Sequence, residues 1–310
     1  MNRIVVGLDE AALAAPDAPV LTLLRRLAIA DPRVDLVHIM PPATPGFWHF
    51  DQLLGLREAE RQTQKSLRRA EHFLQERAAE WGAHPDALVG APVERLLTLA
   101  DERHASLIAL NGNAKNAVEA LFTGSVARSV VSGAARSVLI ARPQPAALRP
   151  LRAVLATDHS PYMGRALESL LTLAPAGLAH VTVLTAFPRD LASRFDTLSA
   201  ELLKDVNGTV CRSAEERCAE TVGRLAPLAA AGTTFSVRVE AGDPRAVIAA
   251  TMAAEDADLL ILGAQGHGFL RRVVLGSVSF DQALGAHAYS VLLLRPTPEN
   301  EQESPADGVN

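Results

Sequence analysis

The sequence predicts an α/β protein made of two tandem copies of one domain, each a parallel sheet with helices on both faces. Three observations predict it: a length of 310 residues, an internal repeat kept in register, and strand patterns that alternate with helical ones. The length suits two domains of ordinary size. A domain of about 150 residues buries roughly 68–70% of its unfolded surface, enough for a core of its own. The repeat aligns Ile4-Val5-Val6-Gly7-Leu8-Asp9-Glu10 with Ala153-Val154-Leu155-Ala156-Thr157-Asp158-His159, and Gly90-Ala91-Pro92 with Gly242-Asp243-Pro244. It continues with Leu107–Leu110 on Leu259–Leu262, Gly124-Ser125-Val126 on Gly276-Ser277-Val278, and Ser137–Pro143 on Ser290–Pro296. The offset drifts only from 149 to 153, which chance similarity over five segments would not do.

The elements of the second copy follow in order. Apolar runs place strands at about 152–157, 180–186, 234–240, 258–263 and 290–295. After the first strand, Met163, Leu167, Leu170, Leu171 and Ala174 recur at helical spacing. A long helical region covers about 197–230. Pro244 opens a further helix at its first turn, where a missing N–H costs little, and Val247, Ile248 and Met252 line its inner face. Continuous apolar strands alternating with helices imply a parallel sheet covered on both sides, with right-handed crossovers. Ala, Val and Leu must fill the interior, because the chain is 48% hydrophobic but only 4% aromatic. Three prolines, Pro143, Pro145 and Pro150, mark a linker. Domains at 1–146 and 147–298 are therefore expected. Residues 299–310 carry Glu299, Glu301, Glu303 and Asp307 without Lys or Arg, and read as a disordered acidic tail.

The stretch Gly263–Ser277, GAQGHGFLRRVVLGS, carries the functional signal. A buried strand ends, a glycine loop opens at Gly263 and Gly266, and Gly276-Ser277 begins a helix. Glycines let backbone N–H groups approach an anion closely, and the first N–H groups of a helix lack internal partners and carry partial positive charge. Ser277 and Ser279 add hydroxyls. The pattern is that of a phosphate cradle, and a nucleotide would sit beyond the carboxyl ends of the strands, at the switch point.

Other classes are disfavoured. A net charge of −5 argues against bulk nucleic-acid binding. No signal-like segment precedes the first strand, and no run of about 18 apolar residues would cross a membrane. Cys211 and Cys218 fall about two helical turns apart, too far for a disulfide. A cytoplasmic protein with reduced thiols is expected. No H-E-x-x-H, CxxC pair, Walker A lysine or G-x-S-x-G motif occurs. The sequon Asn207-Gly208-Thr209 has no meaning in that compartment.

Together these residues resemble the universal stress protein family, as a tandem of two domains. The family's signature is Gly, two residues, Gly, nine residues, Gly, then Ser or Thr, and Gly263, Gly266, Gly276 and Ser277 match it. The resemblance also covers Asp158, the Gly242-Asp243-Pro244 turn and the closing strand Val291–Arg295. It implies a doubly wound five-stranded sheet in each domain, adenine nucleotide alpha hydrolase-like, in order 3-2-1-4-5. It implies a pseudo-dimer through the last strands, which would cover edges that otherwise invite association. It implies ATP binding. By position, Ala156, Thr157 and Asp158 would meet the adenosine, and Ala186 would meet the base through its backbone. Gly263, Gly266, His267, Gly276, Ser277, Val278 and Ser279 would surround the phosphates. A Mg²⁺ on the phosphates is compatible, though no protein ligand cluster for it can be read.

The two copies differ where it matters. Gly263 becomes Asn111, Gly266 becomes Ala114, His267 becomes Lys115, Arg271 becomes Glu119 and Ser279 becomes Ala127. Ala114 adds a methyl where backbone must approach phosphate, Ala127 removes a hydroxyl, and Glu119 brings like charge, with Lys115 a partial offset. One competent site, in the second copy, is expected; Asp9 keeps the adenosine-side carboxylate and Ser125 reads as a helix cap without ligand. Arg271 and Arg272 read equally as phosphate partners or as a solvated helix start, and His267 as a phosphate donor or a solvated loop residue. Asp158 and His159, adjacent at a strand end, point apart and do not form a catalytic pair; Asp158 has a second reading as a loop cap. Arg61, Lys65, Arg68 and Arg69 with Glu58, Glu60 and Glu71 read as a salt-bridged outer face. The leading expectation is a nucleotide-dependent sensor or switch acting on a protein partner. Slow ATP hydrolysis or phosphotransfer, for which no base stands out, and a scaffold with a stabilising nucleotide are the alternatives. Assembly of two chains into a dimer is a further expectation.

Overall fold

Alternation along the strands decides which side chains face which helix layer. In a computed structural model of the chain, residues 1–15, 17–42, 52–112, 120–144, 149–187, 200–265 and 276–297 are described. The first half runs β1 (Asn2–Gly7), α1 (Glu10–Ala14), α2 (Pro19–Leu27), β2 (Pro32–Met40), α3 (Gln52–Trp81), β3 (His84–Val89), α4 (Pro92–Glu102), β4 (Leu107–Asn111), α5 (Ala120–Gly133) and β5 (Ser137–Ala141). The second runs β6 (Leu151–Ala156), α6 (Pro161–Leu173), β7 (Leu178–Phe187), α7 (Ala200–Arg224), α8 (Ala226–Ala230), β8 (Thr234–Ala241), α9 (Pro244–Ala254), β9 (Leu259–Gly263), α10 (Ser277–Leu284) and β10 (Ser290–Leu294).

The ten strands among the described residues form one sheet in the order β3-β2-β1-β4-β5-β10-β9-β6-β7-β8. Each half is therefore a parallel 3-2-1-4-5 sheet, and the halves join through the antiparallel pair β5–β10, with Leu139 opposite Leu292. Ile4, Val6, Leu139, Leu155 and Leu292 face the layer built from α1, α2, α3, α6, α7 and α8. Val5, Val138, Val154, Val291 and Leu293 face α4, α5, α9 and α10. Both cores run across the joint, so the halves share their interiors as well as their sheet. The outer edges, β3 and β8, carry the exposed Val89 and Val237, and β8 blunts its edge with the ion pair Arg238–Glu240.

A second contact joins the halves. Helices α2 and α6 end in left-handed residues, Ala28 (φ 47°) and Ala174 (φ 41°). The Gly177 amide donates to Leu27 O at 2.9 Å and the Ala176 amide to Ala28 O at 3.3 Å. Buried Asn2 spans the seam, its Nδ2 donating to Ala30 O and Thr172 O, both at 2.8 Å. A side chain on Gly177 would overlap the carbonyl of Arg26, so glycine is required for the approach.

The long helical region expected over 197–230 is divided, with α7 ending at Arg224 and α8 starting at Ala226. Short α1 was not foreseen; Asp9 starts it by accepting from the Ala12 amide at 2.8 Å. Ser125 is not a helix cap. Helix α5 begins at Ala120, so Gly124 and Ser125 lie inside it, whereas Gly276 and Ser277 stand at the start of α10. Ala120 and Leu121, good helix formers, replace Arg272 and Val273 of the second half. Residues 145–148 of the linker, Ala114, Lys115, Glu119, Gly266, His267, Arg271, Arg272 and the tail from 298 on lie outside the described residues.

Candidate nucleotide site at the switch point of the second half

β6 and β9 are neighbours whose chains continue to opposite sides, and their ends pair Ala156 with Leu262. A crevice of about 320 Å³ opens there. Ala156, Thr157, Asp158, Ala186, Gly263, Gly276, Ser277, Val278 and Ser279 all line it. Of the residues that the resemblance assigns to the nucleotide, Gly266 and His267 fall outside the described part. Met163, Leu184, Pro244, Ile248, Leu262 and Gln265 also line it. Leu184 and Ile248 come from the sheet and from the inner face of α9, and make an apolar slot suited to a flat ring. The helical pattern around Ile248 was readable; that this buried core residue also borders a crevice was not.

The polar end is built by α10. Gly276 donates its amide to Ala264 O at 2.8 Å, which pins the helix start beside the end of β9. Gly276 brings no side-chain cap, so the N–H groups of Ser277, Val278 and Ser279 have no intrahelical acceptor. By contrast α6 is capped by Ser160, which accepts from Met163 N, and α9 by Asp243, which accepts from Arg245 N and Ala246 N. The uncapped start faces the crevice with the partial positive charge of a helix N-terminus. Ser277 is exposed. Ser279 is buried and its hydroxyl donates to Gly263 O at 2.7 Å, which fixes strand end to helix start. A Cβ on Gly263 would come 3.0 Å from Met163 Sδ and 3.3 Å from Gln265 O. The cradle is a space that a side chain would fill.

Asp158 is the one ionisable group among the described lining residues, and its Oδ1 accepts from the Ser160 amide at 3.0 Å. The carboxylate thus caps the loop and borders the crevice at once. His159 adopts a left-handed backbone, φ 55°, and its ring turns to the other face. Its Nε2 lies 2.7 Å from Thr185 Oγ1 and 3.6 Å from Cys218 Sγ. Thr185 in turn donates to Thr157 O at 3.2 Å. Burial pushes the Cys218 thiol pKa up, the reverse of what a nucleophile needs.

The first half has a crevice in the equivalent place, lined by Asp9, Leu8, Ile39, Asn111, Val126 and Ala127 among others. Leu8 and Ile39 stand where Thr157 and Ala186 stand, and Ala127 where Ser279 stands. Asn111, in the place of Gly263, sends Oδ1 to the Val20 amide at 2.9 Å and supplies the cap that Ala18 cannot give α2. Among the described residues one trio could in principle hold a metal: Asp35, His84 and Asp86. Arg3 Nε lies 2.7 Å from Asp35, and Arg103 Nη1 lies 2.8 Å from Asp35 and 2.7 Å from Asp86. Two guanidinium groups already balance the carboxylates, so the trio is an ion-pair network.

The model of the universal stress protein family matches residues 1–142 and again 151–294. The chain belongs to the universal stress protein family. Its two matched segments coincide with the two sheet halves, so this is a tandem universal stress protein. Among solved structures it is similar to a universal stress protein from Archaeoglobus fulgidus DSM 4304, at 17% identity and a TM-score of 0.60, over 95% of this chain and 98% of that one. It is also similar to a putative universal stress protein from Pseudomonas aeruginosa UCBPP-PA14, at 16% identity and a TM-score of 0.55, over 96% of this chain and 94% of that one. Both likenesses concern the fold. Among curated proteins nothing matches the sequence. No helix among the described residues is long and apolar enough to cross a membrane.

Proposed function

We propose that this universal stress protein binds ATP at one site, the crevice of the second domain, and acts as a nucleotide-dependent switch in the cytoplasm. The observation that carries the reading is the contrast at the two helix starts. Helix α10 begins uncapped at Gly276, beside an open Gly263. Helix α5 has already begun at Ala120, and Asn111 is spent on capping α2. Adenosine would lie against Leu184 and Ile248 with its ribose near Asp158, and the phosphates would take the amides of Ser277, Val278 and Ser279, which have no intrahelical acceptor. Those residues fit the group. Mg²⁺ would enter on the phosphates, as the described lining offers one carboxylate.

Occupancy stabilises whichever arrangement of the phosphate loop and α10 binds ATP more tightly, and only that inequality can drive a switch. Asp158 is the one ionisable group of the described lining, and its Oδ1 accepts the Ser160 amide; we read the crevice as a site for binding rather than turnover. We assign the domains to 1–146 and 147–298, with 299–310 as an acidic tail. Isothermal titration of the full-length protein tests the reading: one ATP per chain is expected, lost in Gly263→Asn. Absence of heat at millimolar ATP, or binding that survives Gly263→Asn, would overturn it.

A further inference from the structure

The carboxyl end of α10 is held by the other domain. Arg142, just past β5 of the first half, is buried, with 5% of its surface exposed. Its Nη2 donates to Ala283 O at 2.7 Å and to Gly285 O at 2.9 Å, and its Nη1 donates to Tyr289 O at 2.9 Å. Ala283 lies in the last turn of α10 and Gly285 is its C-cap. A helix end leaves such carbonyls without intrahelical partners and carries partial negative charge. One guanidinium therefore satisfies the end of a helix whose other end is the proposed phosphate cradle, about 12 Å away for eight residues.

The pseudo-twofold gives a second observation. Arg295, the counterpart of Arg142 beyond β10, donates from Nη2 to Val131 O at 2.7 Å, near the end of α5. Ser290 Oγ accepts from the Arg142 amide at 3.0 Å, and Ser137 Oγ from the Arg295 amide at 3.1 Å. Each domain thus clasps the last crossover helix of the other. The clasp on α10 leads to the helix start at Gly276, which brings no side-chain cap and borders the crevice. Gly112 makes room for it: a Cβ there would come 2.9 Å from Arg142 Cγ. The second half has Ala264 in that place.

We infer that Arg142 is a positioning residue for the nucleotide site: the first domain, whose own loop has changed, holds α10 of the second so that the amides of its first turn meet the phosphates. This rests on the nucleotide reading above and deepens it. The guanidinium adds positive charge at the negative end of the helix and fixes the helix along its axis. Its effect must reach the phosphate side of the ligand and spare the adenosine side, because Asp158, Leu184 and Ile248 lie on other elements.

The test uses full-length Arg142→Met and Arg142→Lys, with ATP and adenosine titrated separately and amide hydrogen exchange followed without ligand. ATP affinity is expected to fall about tenfold in Arg142→Met, with adenosine affinity changed less than about twofold, and Arg142→Lys in between, because an ammonium keeps the charge but not the fork. The amides of Phe280 and Gly285 should exchange faster, while those of β6 and β9 keep their protection. Equal losses for ATP and adenosine would make Arg142 a merely structural residue and overturn the inference. So would ATP affinity that stays unchanged. If Arg142→Met does not fold, the ratio of ATP to adenosine loss in Arg142→Lys decides. Wild-type protein that binds no ATP overturns the nucleotide reading itself, whereas wild type that binds ATP beside an indifferent Arg142→Met overturns only the clasp.

Discussion

Asn111 Oδ1 accepts the Val20 amide at 2.9 Å, tying the end of β4 to the start of α2. In the second domain Gly263 leaves that space open, and Ser160 caps α6 from within its own chain segment, accepting from Met163 N at 3.1 Å. One residue difference thus turns an opening into a structural contact.

Exchanging these residues should have opposite kinds of effect. Gly263→Asn is expected to remove measurable ATP binding, because its side chain fills the space beside the helix start, where a Cβ already comes 3.0 Å from Met163 Sδ and 3.3 Å from Gln265 O. Asn111→Ala is expected to leave ATP binding alone and to cost about 0.5–2 kcal/mol, as loss of a helix cap does. Titration calorimetry and urea unfolding measure the two.

The two serines of α10 should separate in the same way. Ser279→Ala removes the buried bond to Gly263 O and should cost about 1–3 kcal/mol of stability. Exposed Ser277 has no such bond among the described residues, so Ser277→Ala should lower ATP affinity without moving the urea midpoint. A stability loss in Ser277→Ala instead would mean that its hydroxyl is structural.

Two glycines give a test of the packing. Gly177→Ala pushes a methyl into the Arg26 carbonyl and should destabilise by at least about 1–3 kcal/mol, as overpacking does. A Cβ added at Gly208, inside α7, would meet nothing within 4 Å, so Gly208→Ala should stabilise by about 0.5–1 kcal/mol. Chemical denaturation of both variants reads the difference directly.

The joint between domains should be sensitive to acid. His287 stacks on Tyr289 with ring centroids 4.9 Å apart. Burial first, then Arg142, lowers its pKa from 6.5. The folded protein binds that proton less readily than the unfolded chain, so its contribution is present above pH 6.5 and lost as pH falls through the lowered value. His287→Phe should therefore lose less stability between neutral and mildly acid pH than the wild type. Equal losses would count against the assignment. Tyr289 is the alkaline counterpart: burial pushes its hydroxyl up to about 12 from 10.0, so stability should fall as pH rises through that interval.

Much of this was legible in the residue order, for identifiable reasons. Strand ends, the helix opened by Pro244 and the start at Gly276-Ser277 depend on local chemistry, which a short window of sequence contains. The repeat placed both halves on one architecture. The tasks of Asn111, Ser279 and Arg142 were not legible, because each depends on a partner distant in sequence. Asn111 meets Val20 across 91 residues, and Arg142 meets Ala283 across 141. The early start of α5 was hidden for a different reason: Gly124-Ser125 copies Gly276-Ser277, and only the residues before it differ.

The antiparallel seam between β5 and β10 also bears on how such a chain could diverge. In an assembly of two identical subunits, any change to the phosphate loop appears twice, and both pockets are lost together. Fusion into one polypeptide removes that restriction. Every molecule carries one altered copy beside one open copy, in fixed proportion and without any need to find each other. The altered copy is then free to become scaffolding, as long as it keeps its half of the seam.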